Sequence, residues 1–193
     1  MHIQFESYLR TNTNLPPEAI SQIISFALLR SLRRNEYLFS TGEICRHKVF
    51  VVSGMLRTFN TSADGGEHIL QFSAENSWTL DPESYDRQIP SLVSIAAVEP
   101  TTILYWQKAD FNVLLTEIPQ FKSFADQIIS RNIYYSRQRI LKALSNTAEE
   151  KYEDFVKEFP GYLLRLPLRM IAAYLGISLK TLTRVRHAQL QRY

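Results

Sequence analysis

Residues 167–186 have the sequence PLRMIAAYLGISLKTLTRVR, which predicts two short helices joined by a tight turn. Ile171 and Leu175 lie four residues apart and therefore share one face of the first helix. Gly176 permits the left-handed backbone conformation that ends a helix, and Ser178 has the hydroxyl that caps the next one. The stretch therefore predicts that one helix stops and another starts almost at once.

The second of these helices has a predicted buried face, because Leu182 and Val185 are three residues apart. Ala172 is small enough to let this helix cross the first one closely, and Ile177 fills the space between them. A small residue, a glycine four positions later and an aliphatic residue six positions beyond the glycine form a helix-turn-helix pattern. We therefore predict a helix-turn-helix at this end of the chain.

The outward face of the second helix is basic. Lys180 and Arg184 are four residues apart, Thr181 and Arg184 are three apart, and His187 continues the stripe one turn later. Arg, Lys and Thr are side chains that contact base edges and phosphates in DNA. A helical hairpin with a merely solvated basic face is the alternative. Including the helix ends, where phosphates are expected, the candidate DNA-binding residues are Arg169, Ser178, Lys180, Thr181, Arg184 and His187.

The charge distribution points the same way. The chain of 193 residues has a net charge of +3, but residues 159–193 contain six basic residues and no Asp or Glu. The other residues contain 16 basic and 19 acidic side chains, so that part of the chain carries −3. A basic segment on a mildly acidic body is the distribution expected where one end of a protein meets a polyanion.

Residues 37–106 predict a β-sandwich or jelly roll. Short β-rich runs alternate with turn signals such as Ser53-Gly54 and Asp64-Gly65-Gly66, the second of which predicts a hairpin. The predicted strands are Tyr37–Ser40, Lys48–Val52, Met55–Phe59, His68–Phe72, Leu92–Val98 and Thr102–Trp106.

Helical periodicity flanks this region. The apolar spacing predicts helices over residues 16–28, 111–118 and 121–144, and Thr147 followed by Glu149 and Glu150 predicts the start of another that ends at Pro160. The long helix has a broad apolar face, which predicts a parallel dimer interface; burial against the chain's own β-domain is the alternative. The predicted interface residues are Phe124, Ile128, Tyr135 and Leu141. The predicted domains are 1–118 for the β-domain, 119–145 for the dimerisation helix and 146–193 for the DNA-binding part.

The composition excludes several classes of protein. The one cysteine, Cys45, cannot form an intrachain disulfide, and no cysteine cluster exists for zinc or an iron–sulfur centre. No apolar run is long enough to span a membrane, and residues 1–8 lack the features of a secretory signal. We therefore expect a cytoplasmic protein without a membrane partner, a cofactor or a metal.

The whole chain resembles the Crp/Fnr family of transcription regulators. The resemblance rests on FVVSGMLR (Phe50–Arg57), on IAAYLGIS (Ile171–Ser178) and on TLTR (Thr181–Arg184). It implies an α+β fold with an N-terminal jelly roll of the cyclic-nucleotide-binding type, a long dimerisation helix and a C-terminal helix-turn-helix domain. Little or no β-hairpin wing is expected, because the sequence ends at Tyr193. The implied partners are double-stranded DNA, a second copy of the chain, RNA polymerase and a small-molecule effector of unknown identity.

This sequence departs from the family's cyclic-nucleotide pattern. Members that bind cyclic nucleotides have a Gly-Glu pair and, about ten residues later, an Arg-Ser/Thr-Ala segment that holds the phosphate. The matching positions here are Asp81 and Ser91, so the glycine and the arginine are missing. The resemblance leaves Asp81, Ser91 and Leu92 as candidate effector-pocket residues and implies that cAMP does not bind. Haem sensing through Cys45 and His47 has only a two-residue spacing to support it, and we expect these residues to be structural.

Two other functions compete with DNA binding. Jelly rolls include metal-dependent enzymes, but His2, His47, His68 and His187 are scattered and form no metal-ligand pattern, so we expect no catalytic residues. The second alternative is a ligand-sensing or protein-interaction module whose helix-turn-helix does not function. The predicted function is a transcription regulator that binds a palindromic operator as a dimer.

Overall fold

The computed structural model describes residues 2–190, and the contacts of the chain divide it into two units. The first unit contains Met1–Asn60 and Gln71–Ile129, and the second contains Thr61–Leu70 and Ser130–Tyr193. Elements in chain order are α1 (His2–Asn12), α2 (Pro17–Ser25), β1 (Leu28–Leu32), β2 (Tyr37–Phe39), β3 (His47–Ser53), β4 (Leu56–Thr61), β5 (Glu67–Ser73), β6 (Trp78–Thr79), α3 (Pro82–Arg87), β7 (Ser94–Ala97), β8 (Thr101–Gln107), α4 (Lys108–Glu117), α5 (Pro119–Ser145), α6 (Ala148–Glu158), a 3-10 turn (Pro160–Leu164), α7 (Leu168–Leu175) and α8 (Leu179–Leu190).

The strands form two four-stranded sheets in the orders β1-β8-β3-β6 and β2-β7-β4-β5. Their registered pairs are antiparallel, as in β3 against β8 and β4 against β7. Eight strands in two facing sheets confirm the predicted jelly roll. The predicted hairpin is also confirmed, because β4 and β5 are neighbours and Ser62 donates its amide to Gly66 O at 2.9 Å across the turn.

The β3–β8 sheet is buried on both faces. Aliphatic residues from the two sheets meet between them, among them Val49, Leu56 and Ile95. The other face carries an aromatic cluster with helices α1, α2, α4 and α5, where the Trp106 indole N–H donates to Ile23 O at 2.9 Å. Burial on both sides explains why β3 has consecutive apolar residues instead of alternating ones.

The N-terminal prediction needs two corrections. The helix predicted over residues 16–28 ends at Ser25, and β1 begins at Leu28 and pairs with β8. Helix α1 was not predicted; it buries Phe5 and Leu9 in the aromatic cluster. Helix α3 and the short strand β6 were not predicted either.

The C-terminal elements agree closely with their predictions. Thr147 caps α6 in a capping box, in which its side chain accepts from the Glu150 amide and the Glu150 carboxylate accepts from the Thr147 amide. The helices α6, α7 and α8 pack against one another around buried residues, which include Phe155, Ile171 and Leu182. The predicted short or missing wing lies outside the described residues.

We predict that Gly54→Ala strongly destabilises the jelly roll. Gly54 has a φ of +87°, and a Cβ there would lie 2.5 Å from Pro100 O and 2.6 Å from Thr101 Oγ1. Gly42→Ala is the matched control, because Gly42 has a similar φ of +90° but open space around it. The clash should cost roughly 1–3 kcal/mol beyond the control. Urea unfolding, followed by the fluorescence of Trp78 and Trp106 in the first unit, measures this loss in the free energy of unfolding. Equal unfolding midpoints for the two variants would refute the prediction.

Candidate nucleic-acid interface

The turn between α7 and α8 has the geometry that the sequence predicts. Gly176 adopts the left-handed conformation with a φ of +66°, and the Ile177 amide bonds to Ala172 O at 3.1 Å, as in a Schellman motif. Ser178 caps α8, because its Oγ accepts from the Thr181 amide at 3.0 Å. The two helices are therefore joined by only a few residues with fixed backbone positions.

The buried face of α8 fixes which side chains point outward. Leu182 and Val185 are fully buried, whereas Lys180, Arg184 and His187 are exposed. Because successive helical residues are turned by about 100°, these three basic side chains lie together opposite the buried pair. The structure thus brings together three of the predicted DNA-binding residues in one stripe.

Thr181 has a different position from that predicted. It is half-buried, and its Oγ1 lies 2.9 Å from Ser178 Oγ, so its hydroxyl belongs to the cap. Thr183 is exposed beside His187 at the edge of the outward stripe, and its own hydroxyl donates to Leu179 O at 2.9 Å. Thr183 is three residues from Lys180 and four from His187, and this helical spacing could have identified it as an outward-facing residue from the sequence.

Arg169 lies in the first turn of α7 and is exposed. Pro167, the residue before this helix, makes no side-chain cap. The positive end of a helix dipole and uncapped amides favour an anion, so this position suits a phosphate contact.

The four predicted interface residues of α5 are placed differently from one another. Phe124 and Ile128 pack into the aromatic cluster of the first unit, and the Tyr135 hydroxyl bonds to the Tyr174 hydroxyl at 3.1 Å. Leu141 is exposed. The exposed apolar side chains of α5 are Ile129, Ile133, Tyr134, Ile140, Leu141 and Leu144.

The candidate effector pocket has Ser91 at the position where cyclic-nucleotide binders have the phosphate-binding arginine. Ser91 Oγ donates to Asp81 Oδ2 at 2.6 Å, and Ser91 is almost fully buried. Arg87, the nearby cation, pairs with Glu83 at 2.7 Å and is not part of this contact, while Leu92 is exposed. The Ser91 hydroxyl is thus engaged by Asp81 and supplies no positive charge for a phosphate.

Cys45 and His47 have structural contacts. The buried Cys45 thiol contacts His47 O at 3.7 Å, and burial raises the pKa of this thiol. The His47 ring packs edge-on against Tyr105 at 5.1 Å, and burial and the charges of Arg30 and Arg46 lower its pKa. Within residues 2–190, no three His, Cys, Asp or Glu side chains are grouped to hold a metal ion, and no helix there is long and apolar enough to cross a membrane.

Comparison with known proteins shows what this chain is similar to. Residues 29–117 match the family described as the cyclic nucleotide-binding domain. The chain is 27% identical over 183 residues to the transcriptional activator protein Anr of Pseudomonas protegens, covering 87% of this chain and 72% of Anr. It is 28% identical over 171 residues to the transcriptional activator protein FnrA of Stutzerimonas stutzeri, covering 81% of this chain and 68% of FnrA.

The fold has solved counterparts. The structure of FixK2 from Bradyrhizobium japonicum matches with a TM-score of 0.77 and 18% identity over 86% of this chain and 85% of FixK2. The catabolite activator protein of Thermus thermophilus matches with a TM-score of 0.59 and 24% identity over 93% of this chain and 85% of that protein. Anr and FnrA are transcriptional activators, and this chain is similar to them over most of its length. It is similar to regulators of the Crp/Fnr type.

Proposed function

We propose that this chain binds an inverted-repeat operator as a homodimer, with one α8 helix in the major groove of each half-site. The exposed stripe of Lys180, Arg184 and His187 opposite the buried face of α8 is the observation that carries this proposal. No acidic residue occurs between Phe159 and Tyr193 to oppose the DNA phosphates. Such a protein acts on chromosomal DNA in the cytoplasm, and contact with RNA polymerase would let it activate transcription.

The exposed face of α5 supports the dimer. Ile129, Ile133, Ile140 and Leu144 recur at intervals of four, seven and four residues, which places them on one side of the helix. A two-fold axis along paired α5 helices would place two α8 helices one helical turn of DNA apart, about 34 Å. The proposed interface is therefore this set of exposed residues. The proposed domains are 1–118 for the β-domain, 119–145 for the dimerisation helix and 146–193 for the DNA-binding part.

Arg184 is the residue we propose to recognise a base. Arginine donates two parallel hydrogen bonds to guanine O6 and N7, and Arg184 is exposed on the outward stripe. Arg169, Ser178, Lys180, Thr181 and His187 complete the proposed contact set, with Ser178 and Thr181 acting through the helix cap and Arg169 through a phosphate.

The first test compares Arg184→Ala with Arg169→Ala on duplexes selected from a random library by the full chain. Arg184→Ala should cost about 1–3 kcal/mol per half-site and relax the preference at one base pair. Arg169→Ala should weaken all duplexes similarly and reduce the salt dependence by about one phosphate contact. Titrations on selected and scrambled duplexes at two salt concentrations separate these effects.

Arg34→Ala is the control for the loss of one positive charge, because Arg34 is an exposed residue of the first unit. It should leave both the affinity and the base preference unchanged. If Arg184→Ala keeps wild-type affinity for selected and scrambled duplexes while it folds and dimerises, the chain is a sensing or interaction module instead.

The second test concerns the dimer. Ile133→Asp with Ile140→Asp should give a monomer in sedimentation equilibrium and lose operator affinity, since a charge cannot be buried unpaired at an apolar interface. Val113→Asp, an exposed apolar residue on α4, should leave the dimer intact. A wild-type chain that stays monomeric at high concentration would contradict the proposal.

The third test concerns the effector. We propose that cAMP does not bind, because Ser91 stands where the phosphate would need an arginine and its hydroxyl donates to Asp81. Calorimetric titration of the full chain with cAMP should show no saturable heat. Micromolar or tighter binding would show that the assignment of Asp81 and Ser91 to the phosphate site is wrong.

A further inference from the structure

Arg139 connects three elements of the second unit. Its guanidinium donates to Ile69 O at 2.9 Å, to Leu70 O, and to Tyr174 O at 2.9 Å. The same group lies 4.0 Å from the centre of the Tyr174 ring. One side chain of α5 thus contacts the β5 backbone and the first helix of the helix-turn-helix together.

The chemistry of these contacts suits arginine. Tyr174 lies in the last turn of α7, where carbonyl groups have no partner within the helix and where a cation is favoured by the helix dipole. Strand β5 is at the edge of its sheet, so backbone carbonyls there are accessible to a side chain. The planar guanidinium has five donors in a fixed arrangement, whereas lysine has a single charged centre.

Tyr135 adds a second contact one turn earlier on α5. Its hydroxyl bonds to the Tyr174 hydroxyl at 3.1 Å, and burial together with this bond raises the pKa of Tyr135. The nearby ion pair of Lys142 with Asp154, at 3.3 Å, is partly exposed and contributes little. Arg139 and Tyr135 therefore hold Tyr174 against α5 from two successive turns.

From these contacts we infer that Arg139 is a positioning residue, which fixes the helix-turn-helix relative to the dimerisation helix. Tyr174 belongs to α7, and α7 packs directly against α8. In a dimer formed through α5, the orientation of α7 on α5 sets the distance between the two α8 helices. The inference rests on the proposed function. It states that the contacts of Arg139 determine which spacing between the two half-sites the dimer binds.

The experiment uses the inverted repeat selected by the wild-type chain, resynthesised with its halves moved together or apart by single base pairs. Wild-type protein should bind one spacing best. Arg139→Ala should reduce the preference for that spacing by roughly tenfold, within the range typical of coupling between distant groups. Its affinity for a duplex with a single half-site should stay at the wild-type value.

Arg131→Ala is the matched control. Arg131 is exposed two turns earlier on the Tyr135–Arg139 side of α5, and it makes no hydrogen bond or ion pair with residues 2–190. This variant should keep the wild-type spacing profile. Arg139→Lys keeps the charge but not the three contacts, so it should broaden the profile to an intermediate degree even if Arg139→Ala fails to fold.

The outcomes separate the inference from the proposed function. A spacing profile for Arg139→Ala or Arg139→Lys that matches wild type, with both variants dimeric in sedimentation, overturns the positioning role. Equal losses on the single half-site and on the full repeat also overturn it, because they indicate a general loss of structure. A wild-type chain that selects no inverted repeat overturns the proposed function and this inference together.

Discussion

The burial of Leu182 and Val185 is the constraint on which the proposed DNA-binding surface depends. Both side chains are fully buried among α6, α7 and α8, so helix α8 has one rotational setting. That setting is what exposes Lys180 and Arg184 on the opposite side. The left-handed Gly176 and the Ser178 cap then fix where the helix begins. The polar surface is therefore a consequence of apolar packing, and a change at either buried residue would move the basic stripe.

The sequence could predict this region because every signal there is local. A glycine, a capping serine and two aliphatic residues three apart act within a few residues of one another, and each has the predicted role. The β-strands could also be predicted, since turn residues separate their apolar runs. Helix α1 could not, because it has only Phe5 and Leu9 on its buried face. The end of α2 was missed because no glycine or proline separates Ser25 from Leu28.

The long helix shows what periodicity cannot decide. An apolar stripe indicates that side chains are covered, but it does not indicate which surface covers them. Phe124 and Ile128 are covered by the chain's own aromatic cluster, while Ile133 and Ile140 are left exposed. Arg139 was missed for a related reason, since its partners are backbone carbonyls of residues far away in sequence. A pattern of side chains along the sequence does not indicate a contact with a distant backbone carbonyl.

The jelly roll has a structural reason to persist without a nucleotide. Its aromatic cluster buries Phe121 and Phe124, and so it holds the first turns of α5 against Trp106 and its neighbours. A cyclic-nucleotide-type fold with Ser91 in place of the phosphate-binding arginine can therefore still anchor the first turns of α5. The cluster is where the β-sheet and α5 share buried side chains, so a change in its packing would be felt directly by α5.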